Sequence, residues 1–176
     1  FEERGIAFHP GRRIRSLGAG TVALEDWTEL PFDLFLGVPK HRAPDVVLAS
    51  GMAEDGYIPV SSQTLETRFP GVYAVGDVAT AGVPKAGVFS EAAARVVAES
   101  VLAAVRGGEP PAPFDGRASC YIEFGSGLVG RVDIDFLSGP KRTGSYHAPS
   151  AALVEEKRNF GSIRRARWFG AGEPAL

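Results

Sequence analysis

The sequence predicts an α/β fold, α+β in the content of this fragment, on three observations. A short apolar run, Val72-Tyr73-Ala74-Val75, ends in Gly76-Asp77 and leads through a loop into an amphipathic segment. That is the pattern of a buried strand followed by a helix. Before it, Arg13–Leu17 and Thr21–Glu25 alternate around Gly18-Ala19-Gly20, which reads as a hairpin. After it, Ser119–Phe124 and Leu128–Leu137 read as two more strands joined by Gly125-Ser126-Gly127.

Taken in order, Phe1-Glu2-Glu3-Arg4-Gly5 reads as a helix tail with Gly5 at the stop. Ile6–Pro10 then reads as a short strand, and Leu34-Phe35-Leu36-Gly37-Val38 as a strand covered on both faces. Asp45–Ala49 suits a short helix inside a stretch rich in Pro, Gly and charge. The main helix runs from about Ala86 to Arg106, with Phe89, Ala93, Val96, Val97, Val101 and Ala104 on one face. Gly107-Gly108-Glu109-Pro110-Pro111 ends it and marks a candidate domain boundary. Past the second strand pair, Ser138–Pro149 reads as a loop, and Ser150–Asn159 as a last helix.

Composition bounds the function. The 176 residues are 44% hydrophobic and 23% charged, with a formal net charge of −2. Such a chain can bury a core, and its balanced charge argues against nucleic acid as the main partner. No run of apolar residues is long enough to span a bilayer, and no charged-then-apolar leader opens the chain. The single Met is Met52, so Phe1 is expected to lie inside a longer polypeptide. The single Cys, Cys120, excludes an intrachain disulfide and a multi-cysteine metal site. His9, His41 and His147 show no ligand spacing, so no metal is expected.

Two glycine patterns invite a nucleotide reading and fail it. Gly125-Ser126-Gly127-Leu128-Val129-Gly130 fits G-x-G-x-x-G, but the residues that follow alternate with period two. A strand there offers no helix N-terminus to a pyrophosphate. Gly18-Ala19-Gly20 fails for the same reason, and Ser138–Gly144 lacks the Gly-Lys-Ser/Thr register of a phosphate loop.

The unit around Gly76-Asp77 is different. Glycine lets a backbone approach a ligand closely, aspartate can accept from ligand hydroxyls, and the helix opening near Lys85-Ala86-Gly87 presents amides to negative charge. A capped strand-to-helix turn with a solvated Asp satisfies the same spacing.

The segment Thr67-Arg68-Phe69-Pro70-Gly71-Val72-Tyr73-Ala74-Val75-Gly76-Asp77 resembles the second FAD-binding motif of flavoprotein reductases with two dinucleotide-binding domains. Val83-Pro84-Lys85-Ala86-Gly87 before a long helix, with Ser119-Cys120-Tyr121 beyond it, is similar to the branch of sulfide:quinone reductases and flavocytochrome c sulfide dehydrogenases. The resemblance implies a remnant of that fold plus a small C-terminal hairpin-and-helix domain. Residues 1–50 would be the tail of the pyridine-nucleotide-like domain, 51–110 the end of the FAD domain, and 111–176 an interface and redox domain.

It further implies that Asp77 bonds the ribityl chain of FAD, with Gly76 permitting close packing. The amides of Ala86 and Gly87 would face the pyrimidine end of the flavin, and Lys85 would add a positive charge near the ring or a quinone. Cys120 would be one of two redox cysteines, its partner lying outside this chain; a small buried hydrophobe is the plainer role for such a residue. The family's first glycine motif is absent, so this chain is expected to hold FAD poorly by itself. Sulfide and a quinone-like acceptor would be the partners, within a homodimer. The compartment implied is the cytoplasm, with a peripheral contact at the cytoplasmic membrane as one use of the basic, aromatic segment Lys157–Phe169; a dimer contact or a solvated tail are the others. Two alternatives stay open: an NAD(P)H-oxidising quinone or ferredoxin reductase type with a structural Cys120, and a catalytically silent dimerisation or docking module.

Overall fold

In the computed structural model, residues 1–170 are described; 171–176, the end of the expected third segment, lie outside them. The chain divides into two compact units, Phe1–His41 and a second running from Arg42 onward.

In the first unit, β1 (Ile14–Leu17), β2 (Thr21–Leu24) and β3 (Glu29–Pro31) make an antiparallel meander. The expected hairpin is its first half, with Leu17 opposite Val22. Val22 and Leu24 alternate inward on β2 and form its buried side. A 3-10 turn over Glu2–Arg4 ends at Gly5, left-handed at φ 65°, so the expected stop is present on a shorter element.

Two strands expected here do not form. Ile6 and Phe8 are exposed in irregular chain, where Phe8 stacks on Phe1 at 5.1 Å, and Pro10 offers no N–H to a neighbour. Leu34, Leu36 and Val38 are likewise exposed. The Phe35 ring folds over Gly37, occupying the space a Cβ there would need, and packs on Phe32 at 5.5 Å. That breaks the alternation a strand requires.

The second unit opens on α1 (Asp45–Ala49), as expected. The expected strand over Val72–Val75 is extended chain held by single bridges rather than a ladder. Thr67 N–H donates to Val72 O, Ala74 N–H donates to Leu65 O, and Glu66 pairs with Tyr73. A 3-10 turn over Gly76–Val78 follows. Then comes α2 (Gly87–Arg106), which ends on Gly107 in the left-handed conformation. Only the first half of its apolar face is covered. Phe89 and Ala93 are buried and Val96 and Val97 half-buried, whereas Val101 and Ala104 are exposed because β4 packs against the early turns.

The second sheet has the order β4 (Arg117–Gly125), β5 (Leu128–Asp135), β6 (Thr143–Ser150), all antiparallel. The segment expected to be a loop is thus largely an edge strand. Its Gly, Ser and Pro hide the pattern, and Pro149 sits where the β5–β6 register shifts, a position that needs no N–H. The last helix, α3 (Ala152–Phe169), continues ten residues past its expected end through Gly161 and crosses the sheet on β5. The core joining α2 to the sheet is Leu65, Ala81, Phe89, Ala93 and Phe114. Phe136 meets Phe89 edge-on at 5.6 Å.

Candidate functional site

The site is built where α2 begins. Val75 is extended, and Gly76 turns at φ 78°, with Ser90 Oγ 3.7 Å from where its Cβ would lie. The left-handed turn is what requires glycine; the space alone does not. Asp77 is exposed and its carboxylate takes no hydrogen bond among the described residues, so it is available to an outside donor. Ala86 is the N-cap of α2 and no side chain caps the helix, which leaves first-turn amides for a ligand.

Lys85, expected to add a positive charge near the ligand, directs its ammonium onto its own chain. Its Nζ donates to Asp77 O and, at 3.4 Å, to Ala79 O, and it lies 4.0 Å from the centre of the Tyr57 ring.

Beside the start of α2 lie two cavities that share a wall, of about 530 and 1030 Å³. The smaller is lined by the N-cap Ala86 and by Gly87 and Val88 from α2, by Cys120 and Tyr121 from β4, and by Phe160, Arg164 and Trp168 from α3. The structure thus brings Cys120 to the same cavity as Ala86 and Gly87, although 33 positions separate Gly87 from Cys120 in sequence. Gly76, Asp77 and Lys85 do not line it; Val75 borders the larger cavity. Cys120, on the edge strand β4, pairs in register with Val132 of the central strand β5 and is half-buried as a free thiol.

Several lining residues lie beyond the sequence reading. Phe160, Arg164 and Trp168 recur every four residues, a one-face signal that ending the helix at Asn159 conceals. Glu91 on α2, 19% exposed, accepts from Arg164 Nε at 2.7 Å and pairs with Arg167, tying the end of α3 to the start of α2. The basic segment expected at a membrane, an interface or in solvent therefore has Arg164 and Arg167 engaged by Glu91, Arg158 by Glu155 and Lys157 by Glu123. Ile163 and Phe169 on it are exposed.

A polar network backs the cavity under α3. Tyr121 donates to Glu156 at 2.6 Å, and Arg131 reaches Glu156 at 2.6 Å and Asp133 at 3.1 Å. Asp133 also accepts from Ser119 at 2.6 Å and meets His147 at 2.7 Å. Burial, and then the bond to Glu156, pushes the Tyr121 phenol up to about 12, so it stays a donor. The Tyr121 hydroxyl and the Arg131 guanidinium hold Glu156 below the usual carboxylate range. Among the described residues no cluster of His, Cys, Asp or Glu could hold a metal ion.

No protein-family model matches the chain. It is similar to the mitochondrial sulfide:quinone oxidoreductase of Schizosaccharomyces pombe, with 26% identity over 159 residues, covering 81% of this chain and 35% of that protein. This is a likeness to an oxidoreductase, and the chain spans about a third of its relative's length. Among solved structures, a chain of the Tetrahymena thermophila mitochondrial ATP synthase F1Fo composite tetramer shares the fold. The TM-score is 0.70 at 17% identity, covering 98% of this chain and 44% of that one. The α+β architecture, two three-stranded sheets with helices, is that expected for the C-terminal part of an oxidoreductase. No helix among the described residues is long and apolar enough to cross a membrane.

Proposed function

We propose that the chain is the C-terminal part of an FAD-dependent oxidoreductase that passes electrons from sulfide or another reduced sulfur species to a quinone or similar acceptor. In this reading residues 1–50 close a pyridine-nucleotide-like domain, 51–110 end the FAD domain, and 111–176 supply the redox and interface region. One observation carries it: Cys120 and the uncapped start of α2 face a single cavity, and the turn that leads to that helix carries a left-handed Gly76 and an exposed Asp77.

These residues fit part of a flavin. Asp77 would accept from ribityl hydroxyls, and Gly76 would let the ligand approach the turn. The amides of Gly87 and Val88 would favour negative charge on the pyrimidine end. FAD, when bound, supplies two-electron acceptance at its isoalloxazine ring. Cys120, oxidised to a disulfide with a second thiol, would offer the sulfur that sulfide attacks: the disulfide bond breaks, a persulfide forms on one cysteine, and the other leaves as the thiolate whose electron pair passes to FAD. The chain has one Cys, so a second thiol would come from outside its 176 residues. Phe160 and Trp168 give the cavity flat apolar walls of the kind a quinone ring packs on. No glycine-rich phosphate loop is present among the described residues: Gly18–Gly20 and Gly125–Gly130 both lie at hairpins, between β1 and β2 and between β4 and β5.

Cys120→Ser in the flavin-loaded protein tests the reading. Loss of sulfide-driven flavin bleaching with quinone reoxidation intact supports it. Unchanged sulfide oxidation, or bleaching by NADH alone, refutes it and favours a nicotinamide-dependent reductase. Absence of any flavin binding favours a docking module.

A further inference from the structure

The turn that carries Gly76 and Asp77 has every carbonyl accounted for. Gly76 O accepts from Ala79 N–H at 3.1 Å, and Val78 O accepts from Ile58 N–H at 2.8 Å. The other two, Asp77 O and Ala79 O, both accept from Lys85 Nζ. Lys85 is thus the side chain that completes the turn, and it does so from the residue before the N-cap of α2.

Tyr57 fixes where that ammonium can stand. Its ring centre lies 4.0 Å from Nζ, within the range of cation–π attraction. Its backbone exchanges two hydrogen bonds with Glu54, at 3.0 and 2.7 Å. The next residue, Ile58, donates to Val78 O and accepts from Thr80 N–H at 3.0 Å, pairing parallel with Ala79. The crevice behind the turn, shared by Gly76, Lys85 and Phe89, is only about 20 Å³. The ammonium therefore spends its charge on two backbone dipoles and one aromatic face.

From this we infer that Lys85 and Tyr57 form a clip holding the Gly76-Asp77 turn against the start of α2. Resting on the flavin reading above, the clip makes Lys85 a positioning residue that aims the Asp77 carboxylate and the α2 amides at one ligand. Tyr57 sets its geometry. The ring is what matters, so Tyr57→Phe keeps the clip and Tyr57→Leu breaks it; Lys85→Arg, which can still donate to two carbonyls, retains most of it, and Lys85→Met none.

Two measurements decide the matter. The first needs no flavin: reductive methylation read by mass spectrometry, with exposed Lys40 and Lys141 as internal references. Lys85 is expected to react at least threefold more slowly than these, and Tyr57→Leu, but not Tyr57→Phe, is expected to abolish the difference. Equal reactivity in the unaltered protein, or no effect of Tyr57→Leu, overturns the clip.

The second is flavin affinity and flavin midpoint potential in the whole flavin-loaded protein. Tyr57→Leu and Lys85→Met are expected to weaken flavin binding in the same direction, by about tenfold. The double variant should be no worse than Lys85→Met alone, since both remove one device, and Lys85→Arg should restore most of the loss. Tyr57→Leu should also move the potential in the same sense as Lys85→Met although it leaves the charge in place. If Lys85→Met alone moves the potential, or the two losses add, the lysine acts on the ligand directly and the positioning role is overturned. If the labelling behaves as expected and flavin affinity is unmoved, the assignment to the flavin site is overturned and the clip stands as a support of the turn. If the whole protein binds no flavin, the flavin reading fails, the positioning role with it, and labelling still decides the clip.

Discussion

Leu65 offers a sharp test of how the turn is supported. Its side chain has no exposed surface and contacts the core of Ala81, Phe89, Ala93 and Phe114, yet its backbone is left-handed at φ 61°. Its carbonyl accepts the Ala74 N–H that positions the chain entering Gly76. Leu65→Ala removes most of a fully buried side chain and leaves a cavity, at a cost of about 3 kcal/mol. Alanine keeps a Cβ, so the left-handed penalty of about 1–2 kcal/mol remains. Leu65→Gly loses a further methyl, about 0.8 kcal/mol, and stabilises the unfolded chain by about 0.5–1 kcal/mol. It also relieves the left-handed penalty, so the two variants should lie within about 0.5 kcal/mol of each other. At a right-handed or extended position glycine would be worse than alanine by about 1.5 kcal/mol on the same terms. Urea unfolding with a shared m-value measures the difference directly. A glycine variant that falls about 1.5 kcal/mol below the alanine variant refutes the left-handed conformation. An alanine cost below about 1 kcal/mol refutes the burial.

Three further outcomes follow from ionic contacts. Glu91→Gln should free the end of α3, because Arg164 and Arg167 lose their shared carboxylate, at a cost of about 1–3 kcal/mol; faster hydrogen exchange over residues 164–168 and faster alkylation of Cys120 would report it, and unchanged rates would refute it. Asp135 accepts from the Ser138 N–H and from Arg117, which together hold its carboxyl at about 2, below its unfolded value. Its stabilisation is therefore complete above about pH 4 and lost as pH falls towards 2, so Asp135→Asn should flatten the acid limb of a plot of Tm against pH. Tyr121 titrates at about 12, above its unfolded value, so its contribution is complete below about pH 10 and lost as pH rises through 12. Tyr121→Phe should cost about 1 kcal/mol at neutral pH, since Arg131 still pairs with Glu156, and should remove that alkaline loss in unfolding measurements.

Elements whose stability is local were legible in the sequence; those that depend on a distant neighbour were not. The long helix after Lys85 announces itself by period and by its glycine stop, and the two hairpins by their turns. Ile6–Pro10 and Leu34–Val38 have strand composition, but a strand exists only beside a partner, and composition names none. β6 errs the other way: its polar, Pro-containing sequence forms a strand because β5 presents an open edge to it. The expected end of α3 is Asn159, two residues before Gly161, but one interior glycine costs only about 1 kcal/mol, which the Phe160–Tyr121 contact and the Glu91 pairs can offset. At the proposed site, Gly76, Asp77, Ala86, Gly87 and Cys120 carry local patterns that the sequence reading could name, and the structure brings Ala86, Gly87 and Cys120 to one cavity. Glu91, Arg164 and Tyr57 were not, because an ion pair across 73 positions and a cation over a ring leave no local pattern.

The two glycine-rich segments show why context outweighs the motif. In Gly125–Gly130, Gly125, Ser126 and Gly127 are all left-handed because they turn a hairpin. Gly130, the last glycine of the pattern, is demanded by packing: a Cβ there would lie 2.9 Å from the Phe124 ring and 3.3 Å from His147 O. Every glycine of that pattern is used up by the sheet, and none is left to approach a phosphate. Gly76 is the opposite case. Its positive φ needs glycine, but the nearest neighbour to a Cβ is the Ser90 hydroxyl at 3.7 Å, ordinary contact distance. The conformation there is supported by Lys85 and Ile58 on the carbonyl side. Such a turn has its backbone acceptors engaged from within and its Asp77 carboxylate exposed. That asymmetry, invisible in the letters Gly-Asp, is what the proposed flavin role asks of the turn: a backbone held by its own chain and a carboxylate left open to a donor.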